Sequence, residues 1–162
     1  MLAFAATFLP KREVHYALDV NVFGCRDVAG ERVCTAWARL SVGNTGNVDQ
    51  SVVRARLPRE AANWRLSARV FDIRASAASR PNPAIRDRPE GPDLVYEIAP
   101  LPQNTVVDFE GQCLQCPEAV IRALTPERIR IEAAGRVARG DPRVSTLLRG
   151  LANLLLVLLP GS

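Results

Sequence analysis

The sequence predicts a mainly β protein, an antiparallel β-sandwich of about seven strands followed by a C-terminal apolar helix. Apolar and polar residues alternate over several short runs, turn-forming residues separate those runs, and a leucine-rich last segment has helical periodicity. The chain of 162 residues is long enough for one core with short extensions. We therefore expect an apolar N-terminal segment over 1–12, a sandwich domain over 13–140 and a C-terminal apolar helix over 141–162.

Two runs of strict alternation predict the first two strands. The apolar positions of the first run are Val14, Tyr16, Leu18, Val20 and Val22, and those of the second are Cys34, Ala36, Ala38, Leu40 and Val42. A turn around Ala29-Gly30 joins the two strands. If Val22 pairs with Ala36, strict continuation places Gly24 opposite Cys34, and one extra residue near Gly24, a β-bulge, brings Cys25 there instead.

The stretch Gly43-Asn44-Thr45-Gly46-Asn47 predicts the turn that ends the second strand, because its residues tolerate positive φ and a tight reversal. The third strand then starts at about Ser51, with alternate residues from Val53 to Leu57 facing inward. Pro58 ends it, because proline cannot donate to a β-ladder.

The later strands follow from the same alternation, over 64–70, 94–98, from Val107 onward, and 129–133. Residues 75–92 contain four prolines and no apolar period, which predicts a long surface loop of the kind that often mediates interactions. A short helix is expected after Pro117, with proline at its first position.

Three motifs resemble bacterial immunoglobulin-like sandwich modules of the CARDB type, a group related to cell adhesion. They are the strand running into NTGN, the strand ending in Leu57-Pro58, and the phrase IAPLPQNTVVDF, and together they extend over about residues 13 to 135. Gln103-Asn104 stands where such modules often have a glycine, and the proline-rich loop is not part of their pattern. The resemblance implies an immunoglobulin-like fold and a non-catalytic role in adhesion, spacing or assembly on envelope proteins.

The two ends of the chain are apolar. Asp141-Pro142 is typical of a helix start, with Asp141 as N-cap. One helical face then carries Leu147, Leu148, Leu151, Leu154, Leu155 and Leu158. Only Gly150 to Leu159 lack charge, which is too short to cross a bilayer that needs about 20 apolar residues. We predict membrane contact through these leucines, with Arg143 and Arg149 reaching the headgroups; the alternatives are a partner helix or subunit, or docking on the chain's own sandwich.

The first nine residues, MLAFAATFL, lack the basic start and the length of a signal peptide. They are interpreted as the stub of an anchor or as an edge strand. Basic residues flank both apolar ends on the domain side, which by the positive-inside tendency favours a cytoplasmic domain.

Four cysteines form two local pairs, Cys25 with Cys34 and Cys113 with Cys116. Paired cysteines in a β-sandwich favour disulfides and an oxidising, extracytoplasmic compartment, periplasmic or cell-surface, although four cysteines admit three connectivities. The alternative is a four-cysteine zinc site, because Cys113 and Cys116 have the spacing of a zinc knuckle. A redox C-x-x-C motif is disfavoured, because no βαβ pattern surrounds it.

The remaining sequence indicates a protein that binds proteins and is not an enzyme. It contains no phosphate-binding, nucleophile-elbow, zinc-protease or dinucleotide motif, so no catalytic residue, cofactor, metal or small-molecule substrate is expected. His15, Asp108 and Glu110 are interpreted as surface residues. Basic residues outnumber acidic ones by 21 to 17, but no aromatic residues interleave with the arginines of 51–92, which argues against nucleic acid. A carbohydrate-binding module using Trp37 and Trp64 is a further alternative, although Trp64 is predicted to lie in the core.

Overall fold

A computed structural model describes residues 9–64, 66–72, 82–145, 147, 148 and 151 of the chain. Over these residues it contains nine strands, listed here in chain order: β1 (Glu13–Val28), β2 (Glu31–Asn44), β3 (Val53–Pro58), β4 (Ser67–Asp72), β5 (Ala84–Glu90), β6 (Asp93–Ala99), β7 (Thr105–Pro117), β8 (Arg130–Glu132) and β9 (Arg136–Arg139). Two 3-10 helices, Arg59–Trp64 and Pro126–Arg128, and one short α-helix, α1 (Glu118–Ala123), connect them.

The strands form two sheets that share one hydrophobic core. The five-stranded sheet has the order β4-β7-β2-β1-β9 and the four-stranded sheet the order β5-β6-β3-β8. Alternate residues of β2, β3, β6 and β7 are buried in a single cluster. Tyr96 of one sheet lies 4.6 Å from Phe109 of the other, measured between ring centroids. The predicted mainly β architecture is therefore confirmed, with two more strands than expected.

The first hairpin has the predicted register. Val22 pairs with Ala36, the register shifts between Val22 and Gly24, and Cys25 pairs with Cys34. Phe23 is the extra residue of the bulge. The connecting residues Ala29 and Gly30 have φ values of 51° and 83°. Positive φ at both positions gives a two-residue turn the twist of its flanking strands.

The turn after β2 lies where it was predicted, but its glycine serves a different purpose. Gly46 does not have positive φ. A Cβ at Gly46 would collide with the carbonyl oxygen of Lys11 and lie 2.9 Å from the amide nitrogen of Glu13. The amides of Thr45 and Gly46 donate to the Glu13 carbonyl at 3.0 and 3.1 Å. Glycine is therefore required because the start of β1 passes close to the turn.

Three elements differ from the sequence predictions. The strand expected over 64–70 begins only at Ser67, because Arg59–Trp64 form a 3-10 helix. Residues 84–90 of the predicted proline-rich loop form β5, while 73–81 lie outside the described residues. β5 is an edge strand whose side chains are exposed except for half-buried Ile85, so it has no apolar period, and Pro89 is tolerated there. The short strand β9 was not predicted, and it pairs parallel to β1 over Glu13–Tyr16.

Tyr96 makes the stability of this core sensitive to alkaline pH. Burial raises the pKa of Tyr96 to about 12, and the charge of nearby Asp87 adds to the effect. The folded state holds the phenol proton more tightly than the unfolded state, whose tyrosine pKa is about 10. The stabilisation is therefore complete below about pH 10 and is lost as pH rises towards 12.

We expect the Tyr96→Phe variant to lack this alkaline loss. Between about pH 9 and 12, wild type should lose up to about 2 kcal/mol more unfolding free energy than the variant, measured by urea titration. Tyr16→Phe, which leaves Tyr96 in place, is the matched control and should retain the loss. An equal alkaline loss in Tyr96→Phe and wild type would contradict the prediction.

Candidate interaction site

Pro142 and Arg143, at the start of the C-terminal segment, pack against the five-stranded sheet. The structure describes residues 141–145, 147, 148 and 151 of this segment. Three residues on the outer face of this sheet are buried even though they alternate with core residues along their strands. They are Ser41 of β2 and Val106 and Asp108 of β7, and each is no more than 2% exposed. Pro142 is also buried. A Cβ at Gly43 would collide with the Pro142 ring and lie 3.1 Å from Val106 Cγ2. Glycine at position 43 therefore allows the close approach of Pro142 to the sheet.

An ion pair fixes the same segment. The Asp108 carboxylate is 1% exposed and accepts a hydrogen bond of 2.7 Å from Ser41 Oγ. Its second oxygen, Oδ2, accepts from Arg143 Nη2, and Arg143 Nη1 donates to Ser41 Oγ at 3.4 Å. The interpretation of Asp108 as a solvated carboxylate is therefore wrong, because this carboxylate is buried and Arg143 neutralises it against the sheet. Arg143, which was predicted to reach lipid headgroups, remains 31% exposed at its side chain.

The backbone of this segment begins as predicted. Residues 142–145 are helical, as are 147, 148 and 151. The amide of Arg143 donates to Asp141 Oδ1 at 2.8 Å and that of Ser145 to the Asp141 carbonyl at 3.1 Å. Asp141 therefore acts as the helix N-cap.

Beyond Arg143, apolar side chains of the segment face solvent. Val144, Leu147, Leu148 and Leu151 are 51%, 61%, 61% and 56% exposed. Their spacing of three and four residues places them on one helical face. Leu154, Leu155 and Leu158 lie outside the described residues. Docking on the chain's own sheet thus involves Pro142 and Arg143, whereas the three described leucines remain uncovered. Among the described residues, no helix has the length and apolar character needed to traverse a bilayer.

The four cysteines converge at the opposite end of the same sheet. Disulfides join Cys25 to Cys34 and Cys113 to Cys116, with Cα–Cα distances of 4.0 and 5.8 Å, so the predicted pairing is observed. The register of β2 and β7 also places Cys34 opposite Cys116, which the sequence did not indicate. Groups of His, Cys, Asp or Glu arranged to hold a metal do not occur in the described part of the chain, so the zinc alternative gains no support.

A cleft of about 420 Å³ lies beside the Cys25–Cys34 disulfide. Its walls include Phe23, Arg26, Thr35 and Gln115. Phe23 and Leu114 are 70% and 68% exposed at this end of the sheet. An accessible disulfide and two exposed apolar side chains therefore lie together at this end of the sheet.

The outer edge of β1 is open over most of its length. β9 pairs only with residues 13–16 of β1, and within the described ranges no strand pairs with that edge over residues 17–28. An open edge exposes a row of backbone donors and acceptors that pair readily with another strand. This edge runs past the cleft, because Phe23 and Cys25 belong to both.

The other candidate residues have structural surroundings. His15 Nδ1 lies 2.7 Å from Thr45 Oγ1. Trp64 is fully buried, as predicted. Trp37 has the Arg39 guanidinium 5.5 Å from its ring centroid, and no aromatic ring in the described part of the chain stacks beside it. The carbohydrate alternative therefore lacks the paired exposed aromatic rings that it requires.

The arginines on the outer face of the four-stranded sheet alternate with carboxylates. Arg54 Nε lies 3.0 Å from Glu97, and Arg56 Nη1 lies 3.0 Å from Glu90. Arg56 also pairs with Glu132. Such an alternation of paired charges is typical of a solvated strand face.

These features define a two-sheet β protein with an exposed apolar segment at one end and an accessible disulfide at the other. Comparison with protein-family models finds no match. No curated protein matches the sequence significantly.

Proposed function

We propose that this protein is a non-catalytic immunoglobulin-like β-sandwich that acts by protein contact at the extracytoplasmic side of a bacterial cell membrane. In this role it serves as an interaction or envelope-assembly module. The observation that carries the proposal is the row of exposed leucines on a segment whose first residues are fixed to the sheet by Arg143 and Asp108.

The exposed leucines suit contact with a bilayer. Burying a leucine side chain is worth about 1.5–3 kcal/mol, so Leu147, Leu148 and Leu151 together supply enough for reversible binding to an interface. The sequence continues with leucine or valine at every position from 154 to 159, which extends the apolar character of the segment. Residues 142–162 would then form the apolar helix that holds the domain at the membrane surface.

The cysteine pairs support an extracytoplasmic location. Disulfides persist in oxidising compartments such as the bacterial periplasm and are rare in the cytosol. Both pairs lie within bonding reach. Two disulfides favour an extracytoplasmic location more strongly than the basic residues beside the apolar ends favour a cytoplasmic one. The CARDB-type motifs agree with an envelope module. The open edge of β1 is the surface best suited to a protein partner, because a partner strand would continue the five-stranded sheet.

The experiment is flotation of the full chain with vesicles of phosphatidylethanolamine and phosphatidylglycerol. Wild type is expected to float with the vesicles. For the triple variant Leu147→Glu/Leu148→Glu/Leu151→Glu, the amount of protein that floats is expected to fall at least about tenfold. Three apolar side chains are replaced there by charges that resist burial.

A matched variant tests whether loss of flotation is specific to these leucines or follows from charging any exposed apolar surface. Phe23→Glu/Val28→Glu/Leu114→Glu introduces the same charge at three exposed apolar positions at the cysteine end, and it should float like wild type. Equal flotation of the leucine variant and wild type would exclude the membrane role. Equal loss in both triple variants would show that the introduced charge, not the segment, determines binding.

A further inference from the structure

Cys34 lies between two cysteines on neighbouring strands. It is bonded to Cys25 on β1, and the strand register places Cys116 on β7 directly opposite it. Directly opposed residues of antiparallel strands have Cα atoms about 4.5–5.5 Å apart, and disulfides form at about 4.4–6.8 Å. Opposed side chains also point to the same side of a sheet. Cys34 can therefore pair with either neighbour while the strands stay in place.

The four sulfurs differ in their access to solvent. Cys25 is exposed and lines the cleft. Cys34, Cys113 and Cys116 are 2%, 1% and 8% exposed. Thiol–disulfide exchange starts at the sulfur that an incoming thiolate can reach. A thiol from outside the protein should therefore attack Cys25 first.

We propose that the cleft is a thiol–disulfide exchange site at which a protein thiol becomes covalently bound to Cys25 while Cys34 re-pairs with Cys116. The incoming thiolate bonds to Cys25 Sγ, and the Cys25–Cys34 bond breaks with its electron pair on Cys34 Sγ. Cys34 Sγ then bonds to Cys116 Sγ, and the Cys113–Cys116 bond breaks with its electron pair on Cys113 Sγ. Cys113 takes up the proton that the incoming thiol lost. Two disulfides break and two form, so no oxidant or reductant is consumed.

The second step makes the mixed disulfide at Cys25 long-lived. Without it, the Cys34 thiolate would remain beside the mixed disulfide and expel the bound partner by attacking Cys25 Sγ. Burial disfavours a thiolate at Cys34 and at Cys113 alike, so the second step is completed when Cys113 takes up a proton. The released Cys113 lies opposite Ala36 in the register, two residues along β2 from Cys34 and farther from Cys25. Re-pairing therefore removes the group that would reverse the attachment.

The surroundings of Cys25 define the partner as an extended segment that carries a cysteine beside apolar residues. The open edge of β1 offers backbone pairing through the cleft, and Phe23, Val28 and Leu114 offer exposed apolar contacts. The proposal specifies how the proposed protein contact becomes covalent. It holds whether or not the leucines of the C-terminal segment bind lipid.

The first experiment treats the oxidised full chain with excess reduced glutathione at about pH 8, where thiolate is available. Acid quenching, alkylation and non-reducing peptide mapping then locate every bond. We expect glutathione on Cys25, a Cys34–Cys116 bond and alkylation of Cys113. Glutathione on Cys113 or Cys116, or alkylation of Cys34 with the Cys113–Cys116 bond intact, would overturn the proposal.

Two variants test the re-pairing step separately. Cys113→Ser/Cys116→Ser keeps the Cys25–Cys34 bond but removes the acceptor, so the glutathione adduct should fall about tenfold as Cys34 expels it. Cys25→Ser should contain a Cys34–Cys116 bond without any added thiol. An unchanged adduct level in the double variant, or an intact Cys113–Cys116 bond in Cys25→Ser, would show that Cys34 does not exchange with Cys116.

Discussion

Replacing Arg143 with leucine is expected to lower the free energy of unfolding by about 3 kcal/mol. The Asp108 carboxylate is 1% exposed, and Arg143 supplies its neutralising charge. Without that charge, Asp108 would keep the hydrogen bond from Ser41 Oγ and the weaker attraction of the more distant Arg39 guanidinium. A buried carboxylate without a counter-charge is strongly destabilising, whereas the pair as a whole contributes little net stability.

A double variant separates the charge from the packing. Asp108→Asn keeps the shape of the side chain and an acceptor for Ser41, so Arg143→Leu/Asp108→Asn should regain more than half of the stability lost in Arg143→Leu. Urea unfolding of both variants and of wild type measures the difference. If the double variant is as unstable as Arg143→Leu, the loss comes from displacement of the segment and not from an unpaired buried carboxylate.

Replacing Trp64 with alanine is expected to cost about 4 kcal/mol of stability, because a fully buried indole leaves a large cavity. Trp64 ends the 3-10 helix that connects the two sheets between β3 and β4. Its Nε1 has no hydrogen-bond acceptor among the described residues, so the loss is one of packing. Trp64→Phe, which retains an aromatic ring and removes that donor, should cost less than half as much.

Trp37→Ala is the matched control for this prediction. Trp37 is half-buried beside Arg39 on the outer face of its sheet, so its loss should cost about 1 kcal/mol. Thermal or urea unfolding of the three variants ranks them. Equal costs for Trp37→Ala and Trp64→Ala would contradict the assignment of Trp64 as a core residue and of Trp37 as a peripheral one.

The structure gives the C-terminal segment two distinct parts. Pro142 and Arg143 belong to the domain, because they cover Gly43 and neutralise Asp108. The exposed leucines that follow have no such contact among the described residues. A segment built in this way holds its first turn in a fixed position on the sheet and presents the apolar side chains beyond it for binding.

Local patterns were sufficient to predict the first hairpin completely. Side chains alternate between the two faces of a strand, so the apolar residues of β1 and β2 fixed their register, and a one-residue mismatch indicated the bulge that aligns Cys25 with Cys34. The same register supported the Cys25–Cys34 pair, whereas the Cys113–Cys116 pair was predicted from its closeness in the sequence. The position of the turn after β2 was also predicted, but the reason for Gly46 was not, because it depends on the passing chain at Lys11.

The sequence by itself therefore determined the β class, the first hairpin with Cys25 opposite Cys34, and the core position of Trp64, since each follows from periodicity within a short stretch. Tertiary structure alone decided that Asp108 meets Arg143, that Cys34 lies opposite Cys116, and that β9 joins β1 in parallel. These contacts join residues 35 or more positions apart in the chain. The alternation of apolar and polar residues within one strand cannot indicate which distant strand or segment will pack beside it.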